Sequence, residues 1–308
     1  MITVAGFNTA IDRRIDLDAL RPGTVQRAVR AQALPGGKGL HVAQTVAVLG
    51  EPVRLVGLVD TAHAPLLRDH LRARNVKWHD LHTPHALRQC LAIHEADGQV
   101  TEILESGAEL DAPLQQALLA ATQALIDSSK VLVLSGSLPK GFDADAYARL
   151  VHEAAIRGVP CLLDASGDAL RYGVDACPWL VKPNVDEASD LWGRPVTDVA
   201  SAAACARWLQ GRGMVRVVIT LGADGAVGFD GKQAWHAALR VEQVRNTVGS
   251  GDCFMAGLAV STARGLPLED ALRCAVACGA ANAQGQEPGY VRKDQVDDLY
   301  AHVQMRRL

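Results

Sequence analysis

Apolar and polar positions follow two periods along this chain. Short, nearly unbroken apolar runs at 2–5, 53–59, 131–134, 160–164, 179–181 and 215–220 read as strands buried on both faces of a parallel sheet. Between them, small and apolar residues recur at helical spacing. The first such stretch takes Val42, Val46 and Leu49 and stops at Gly50. Others cover 64–75, with Asn75 as a left-handed stop, then 111–128, 143–158 and 199–210. Small-residue runs predict helices at 252–264, 268–283 and from 293 to the end. Strand alternating with helix throughout predicts an α/β fold, a doubly wound sheet with helices on both faces, in one domain over 1–308.

Two stretches break this rhythm. Residues 14–34 alternate irregularly and lack a good hydrophobic face, as in a ribbon or loop. Residues 87–94 and 100–104 flank an Asp97-Gly98 turn and predict a hairpin. Together they predict a small β-lid formed by 14–34 and 87–105. Residues 238–244 also have strand-like character.

Composition narrows the class. The 308 residues are 49% hydrophobic and 21% charged, which is globular and long enough for a sizeable core. The net charge is −3, and no basic block exceeds the short Arg306-Arg307 tail, so neither nucleic acid nor an anionic membrane is an expected partner. No apolar run approaches the ~20 residues that span a bilayer. The chain starts at once with a strand, so no signal peptide is expected. Seven scattered cysteines without a C-x-x-C pair suggest neither a disulfide framework nor a zinc site, and fit a reducing cytoplasm. Cys253 reads as a small packing residue.

Four loops carry candidate chemistry. In Asn246-Thr-Val-Gly-Ser-Gly-Asp-Cys253, glycines flank a serine and an aspartate stands in the first turn of a helix. Gly249, Ser250 and Gly251 would present backbone N–H groups to an anion at that helix start. Asp252 is then either a helix cap or a base beside a group about to receive a nucleophile. Pro35-Gly-Gly-Lys-Gly39 places Lys38 at a helix start, where a cation is disfavoured unless an anion or polyol binds. It is not a Walker A loop. Ser135-Gly-Ser-Leu-Pro139 and Lys182-Pro-Asn184 each end a buried strand, the edge where open α/β sheets bind ligands. Asn184 and Glu187, three apart, also read as a capping box, Asp12 as a turn residue, and Arg88 as a solvated arginine.

Taken in order, these motifs resemble the ribokinase-like sugar kinases of the phosphofructokinase B family, over essentially the whole chain. The Gly-Gly-Lys-Gly and Ser-Gly-Ser-Leu-Pro loops with Arg88 resemble its hexose-phosphate branch, which holds 1-phosphofructokinase, tagatose-6-phosphate kinase and a 6-phosphofructokinase. The resemblance implies a magnesium- and ATP-dependent kinase, most like one converting fructose 1-phosphate to fructose 1,6-bisphosphate. Tagatose 6-phosphate, fructose 6-phosphate, another sugar or a nucleoside, and a non-catalytic sugar-phosphate sensor are the alternatives.

Asp252 would take the proton of the attacking hydroxyl while Gly249, Ser250 and Gly251 hold the γ-phosphate. Asp12, Gly36, Gly37, Lys38, His41, Arg88 and Ser137 would bind the sugar phosphate, with Lys38 and Arg88 on its phosphate. Lys182, Asn184, Thr220, Gly222, Gly225 and Asn282 would bind ATP, with Asn282 beside the adenine and Glu187 near the magnesium. The lid would pair in a homodimer. Four departures stand out: His41 and Asn246 replace the family's usual asparagine and aspartate, Lys140 replaces a proline, and residues 285–289 match poorly. The aspartate normally at 246 is linked to a monovalent cation site in some relatives, which leaves potassium activation open.

Overall fold

The computed structural model describes residues 1–308. The N-terminal part holds β1 (Ile2–Ala5), β2 (Ala10–Leu17), β3 (Arg30–Gly36), α1 (Lys38–Val48), β4 (Val53–Val59), α2 (Ala64–Ala73) and β5 (Lys77–His82). A hairpin follows, β6 (Arg88–Glu95) and β7 (Val100–Leu104), then α3 (Ala112–Ile126), β8 (Val131–Ser135), α4 (Ala146–Ile156), β9 (Cys161–Asp164), α5 (Gly167–Asp175) and β10 (Leu180–Val181). The C-terminal part holds α6 (Val185–Trp192), α7 (Val199–Gln210), β11 (Arg216–Thr220), β12 (Ala226–Phe229) and β13 (Ala234–Ala238). It ends with α8 (Ser250–Ala263), α9 (Leu268–Gln284), α10 (Lys293–His302) and β14 (Gln304–Arg307).

Ten strands form one sheet in the order β14-β13-β12-β11-β10-β9-β8-β1-β4-β5. From β5 to β11 neighbours run parallel; β12, β13 and β14 close that end antiparallel. The parallel strands are the apolar runs of the sequence, and β1, β8 and β9 are buried along their full length. Helices cover both faces, as continuous apolar strands require. One contiguous core joins strand residues such as Val4, Leu132 and Leu162 to Val46, Leu67, Leu150 and Leu258 on the helices. Each such side chain contributes roughly 1.5–3 kcal/mol by leaving water.

Local chemistry sets several boundaries. Asn75 stops α2 in the left-handed region (φ 56), as expected. Asp111 caps α3 by accepting from the Leu114 N–H at 3.0 Å. Two expectations fail. Residues 238–244 are strand only to Ala238; beyond it Leu239–Arg245 have no ladder partner. The last helix ends at His302, and Gln304–Arg307 turn back as β14 beside β13. Polar-looking β5 pairs with β4 on the sheet edge, where its sequence has little apolar face to show.

The second sheet has four strands in the order β3-β2-β6-β7. It comprises the two stretches that broke the hydrophobic rhythm. Much of β3 and β7 is exposed. No helix is long and apolar enough to cross a membrane.

Candidate active site

The loops at the carboxyl ends of β1, β8, β9, β10 and β11 open on one side of the large sheet, and α8 enters there. Gly249 is the residue before α8, in the left-handed conformation (φ 80). No side chain caps this helix, and Asp252 makes no capping bond. The cap reading of Asp252 is therefore replaced: its carboxylate turns away from the helix N–H groups and meets His41, Nδ1 to Oδ2 2.9 Å. The Ser250 N–H donates to the Thr247 carbonyl at 3.1 Å, whereas the N–H groups of Gly249 and Gly251 have no acceptor in the protein. The anion-binding potential of this helix start rests on those two, with the macrodipole behind them. Gly251 is exposed, and a Cβ built there would meet no atom of the chain within 4 Å.

The loop behind α8 is held from inside. Asn246 is buried and closes a turn, accepting from the Val248 N–H at 3.1 Å. Asn282 is fully buried, with its amide donating to the Val248 carbonyl and to Ser250 Oγ, both at 2.9 Å. Both donated bonds of Asn282 go to the loop that leads into α8. Cys253 is the packing residue expected, buried with its thiol pushed up by burial and 3.3 Å from Thr45 Oγ1. All seven cysteines are free.

Asp164, at the end of β9, was not singled out by the sequence. It is buried, and its partners are two ammonium groups: Lys182 at 3.2 Å and Lys38 at 3.6 Å. Burial opposes its charge, but Lys182 and Lys38 outweigh burial and hold the carboxyl below its ordinary range. Asp164 in turn raises Lys38, against burial and with smaller help from Asp252 and Glu187. Lys38 thus reaches from the start of α1 toward the end of β9, facing Lys182 across one carboxylate. The available signal for Asp164 was a lone carboxylate ending an apolar strand at the ligand edge.

The residues expected to meet the sugar phosphate lie around β2 and α1. Asp12 on β2 lies against Gly36 and contacts His41 Nε2 at 3.0 Å. Gly37 precedes α1 at φ 94. Asn8 donates to Ser137 Oγ at 2.9 Å, and Arg88 Nε donates to the Asn8 carbonyl at 3.2 Å. Arg88 is therefore anchored at the site mouth and is not a solvated surface residue. A cavity of about 260 Å³ lies under the small sheet, lined by Asp12, Arg13, Arg14, Arg30 and Glu102, and closed by Gln286–Pro288.

On the other side, Lys182 and Asn184 follow β10, and Thr220 ends β11 with a bridge to Asn184. Gly222 and Gly225 bound a short 3-10 turn. The capping box is present: Asn184 Oδ1 accepts from Glu187 N at 2.8 Å, and Glu187 accepts from Asn184 N at 2.9 Å. Glu187 keeps one carboxylate oxygen for another role. No three His, Cys, Asp or Glu residues converge as a metal site. A divalent ion here would be held chiefly by phosphate oxygens and water, with Glu187 as the outer carboxylate, as suits Mg²⁺.

A family model for pfkB family carbohydrate kinases matches residues 5–293, spanning every element of this site. The chain belongs to the pfkB family of carbohydrate kinases. Phosphofructokinase-2 from Escherichia coli, solved in complex with potassium, is similar at 27% identity over 97% of this chain and 98% of its own, with a TM-score of 0.91. The same enzyme in complex with fructose-6-phosphate matches at 26% identity over the same shares, with a TM-score of 0.88. A possible 1-phosphofructokinase from Thermotoga maritima shares the fold at TM-score 0.89 and 20% identity, over 100% of this chain and 99% of its own. The ribokinase-like doubly wound fold expected of a pfkB member is therefore the fold present.

Proposed function

We propose that this pfkB kinase transfers the γ-phosphoryl group of ATP to a phosphoketohexose, with fructose 1-phosphate as the substrate and fructose 1,6-bisphosphate as the product. The observation that carries the reading is the arrangement at α8. One oxygen of Asp252 is left without a protein partner beside two unbonded N–H groups at a helix start. A base and an anion hole so placed serve an acceptor hydroxyl and the phosphoryl group it attacks. The hydroxyl oxygen bonds to the γ-phosphorus, the bridging oxygen leaves with ADP, and the hydroxyl proton passes to Asp252.

Gly249 and Gly251 hold the moving phosphoryl oxygens. Lys38 and Lys182, paired through Asp164, flank the transfer path from the two sides and answer the charge that builds on it. Arg88, with Ser137 and Asn8 beside it, binds the phosphate already on the sugar, while the arginines of β2 and β3 line the cavity under the small sheet with Asp12. Asp12, Gly36 and Gly37 meet the sugar hydroxyls. Thr220, Gly222, Gly225 and Asn184 border the nucleotide. Mg²⁺, when bound, neutralises phosphate charge, and Glu187 faces it from outside. The likeness to a phosphofructokinase-2 bound to potassium also supports a monovalent cation near Asn246.

Fructose 6-phosphate is the second reading, favoured by the likeness to the phosphofructokinase-2 complex with that sugar. Both sugars end as the same bisphosphate, held end for end. The small sheet supports a homodimer: Ile103 and Leu104 are exposed on its edge strand β7, and Val25 and Val29 in the segment that leads into β3, a cost unless a second copy covers them. A screen of sugars and sugar phosphates for ADP release, with Mg-ATP and with or without potassium, tests the substrate. Turnover of fructose 1-phosphate above the others is expected. Turnover of unphosphorylated sugars alone contradicts the role of Arg88.

A further inference from the structure

Two of the departures from the family pattern, His41 and residues 285–289, meet in space. His41 lies in the first turn of α1 and is buried. Its Nε2 is 3.0 Å from Asp12 Oδ2, and its Nδ1 is 2.9 Å from Asp252 Oδ2. Neither carboxylate has another partner in the chain. The ring lies against Gly289, which has φ 64; a Cβ there would fall 2.1 Å from His41 Cγ. Gly249 adjoins both, since a Cβ on it would lie 2.4 Å from Gly289 N and 3.4 Å from His41 Nδ1.

The loop that carries Gly289 is fixed from three elements. Gln44 and Thr45 of α1 donate to its carbonyl at 2.6 and 3.2 Å. Arg74, just past α2, pairs with Glu287. Arg14 of β2 donates to the Gln286 carbonyl at 3.2 Å. A glycine at 289 thus makes room for a ring at 41, and the loop holds the ring in place.

We propose that His41, seated on Gly289, is a positioning residue that clamps Asp12 and Asp252 through one oxygen each and leaves the other oxygen of each to the acceptor sugar. The proposal rests on the kinase reading for what the two free oxygens do, but the clamp itself stands on the geometry. Only a ring protonated on both nitrogens donates to both carboxylates. Burial disfavours that charge, yet the hydrogen bonds to Asp12 and Asp252 outweigh it and raise His41 to about 10. From α2, His70 faces the same region; burial, then Arg74 and His41, push it down to about 4. Asp12 from β2 and Asp252 from α8 are the charges in contact, so the proton resides on His41. The clamp aligns Asp252 with the hydroxyl it serves, and a misplacement of ~1 Å there costs on the order of 10²-fold.

Nitrogen NMR of the full chain labelled with ¹⁵N-histidine tests this without any substrate. At about pH 8, where an ordinary histidine is neutral, His41 should show both ring nitrogens protonated. Its signal is assigned by its loss in His41→Asn. Asp252→Asn should return the ring toward ordinary titration. A neutral His41 in the wild-type protein at that pH overturns the clamp, whether or not ADP release is seen. The kinetic arm uses His41→Phe, which keeps a ring and removes both hydrogen bonds. Its kcat should fall about 100-fold with the KM for ATP within about twofold. Gly289→Ala should reproduce the loss by displacing the ring, and adding it to His41→Asn should cost little more than His41→Asn alone. Losses that multiply, or a His41→Phe kcat near wild type, contradict the proposal. A protein that shows the doubly protonated ring but no ADP release overturns the kinase reading and leaves the clamp standing.

Discussion

At the residue scale, the transfer loop separates what the fold needs from what a ligand needs. Gly249 cannot carry a side chain, because Gly289 occupies the space. Gly251 can, as far as the chain is concerned. Gly251→Ala should therefore leave the thermal midpoint unchanged or raise it, since Ala is favoured over Gly in a helix by roughly 0.5–1 kcal/mol. It should still lower kcat/KM at least about tenfold, because its methyl enters the space of the incoming phosphate. Unchanged kinetics in a stable variant would place the anion elsewhere. Asp252 and this loop were legible in the sequence because the signal is local: two glycines and an aspartate at one helix start. The partners of Asn282, and Asp164 itself, were not. Asn282 meets Val248 and Ser250 from the far side of α9, and Asp164 takes its meaning from two lysines on other loops. Such partners are set by packing and leave no spacing in the chain.

At the element scale, the buried strands were legible because a parallel sheet covered on both faces needs continuous apolar runs. The ends of the sheet were not. β5 and β14 lie at its two edges, where each strand pairs on one side only and packs on the core through few side chains, Trp78 and Leu81 in β5 and Met305 in β14. α5 was missed because it is short and mixed in polarity. The parallel strands deliver the chemistry by their carboxyl ends, and β9 and β10 together with α1 make the Lys38–Asp164–Lys182 array. Asp164→Asn removes the anion from between two cations. Because Lys182 is buried and Lys38 is 44% exposed, most of the loss falls on Lys182. The expected cost is about 3–5 kcal/mol in chemical denaturation, with kcat lowered as well. The wild-type carboxyl titrates below its unfolded value of 3.8. Its contribution is therefore present above that pH and is lost as pH falls through the lower folded value. A stability change near zero would show that the two lysines have other counter-charges.

At the scale of the whole molecule, the order of loops along the chain maps onto one edge of the large sheet. The small sheet stands over the Asp12 end of that edge. Its poor hydrophobic face marked it in the sequence as an appendage, but the sequence could not show that β7 and the segment leading into β3 both carry exposed apolar side chains. Val25→Asp with Ile103→Asp should halve the mass measured by light scattering if two copies pair there. A wild-type protein already monomeric at micromolar concentration, or a variant of unchanged mass, would contradict that pairing.

The central claim is that Asp252 is the base for phosphoryl transfer to a phosphoketohexose. The most direct test is ADP release from Mg-ATP with fructose 1-phosphate, comparing wild type with Asp252→Asn. The wild type should turn over, and the variant should lose about 10²–10⁴-fold in kcat while its denaturation remains cooperative. A folded Asp252→Asn protein that releases ADP at the wild-type rate would contradict the claim.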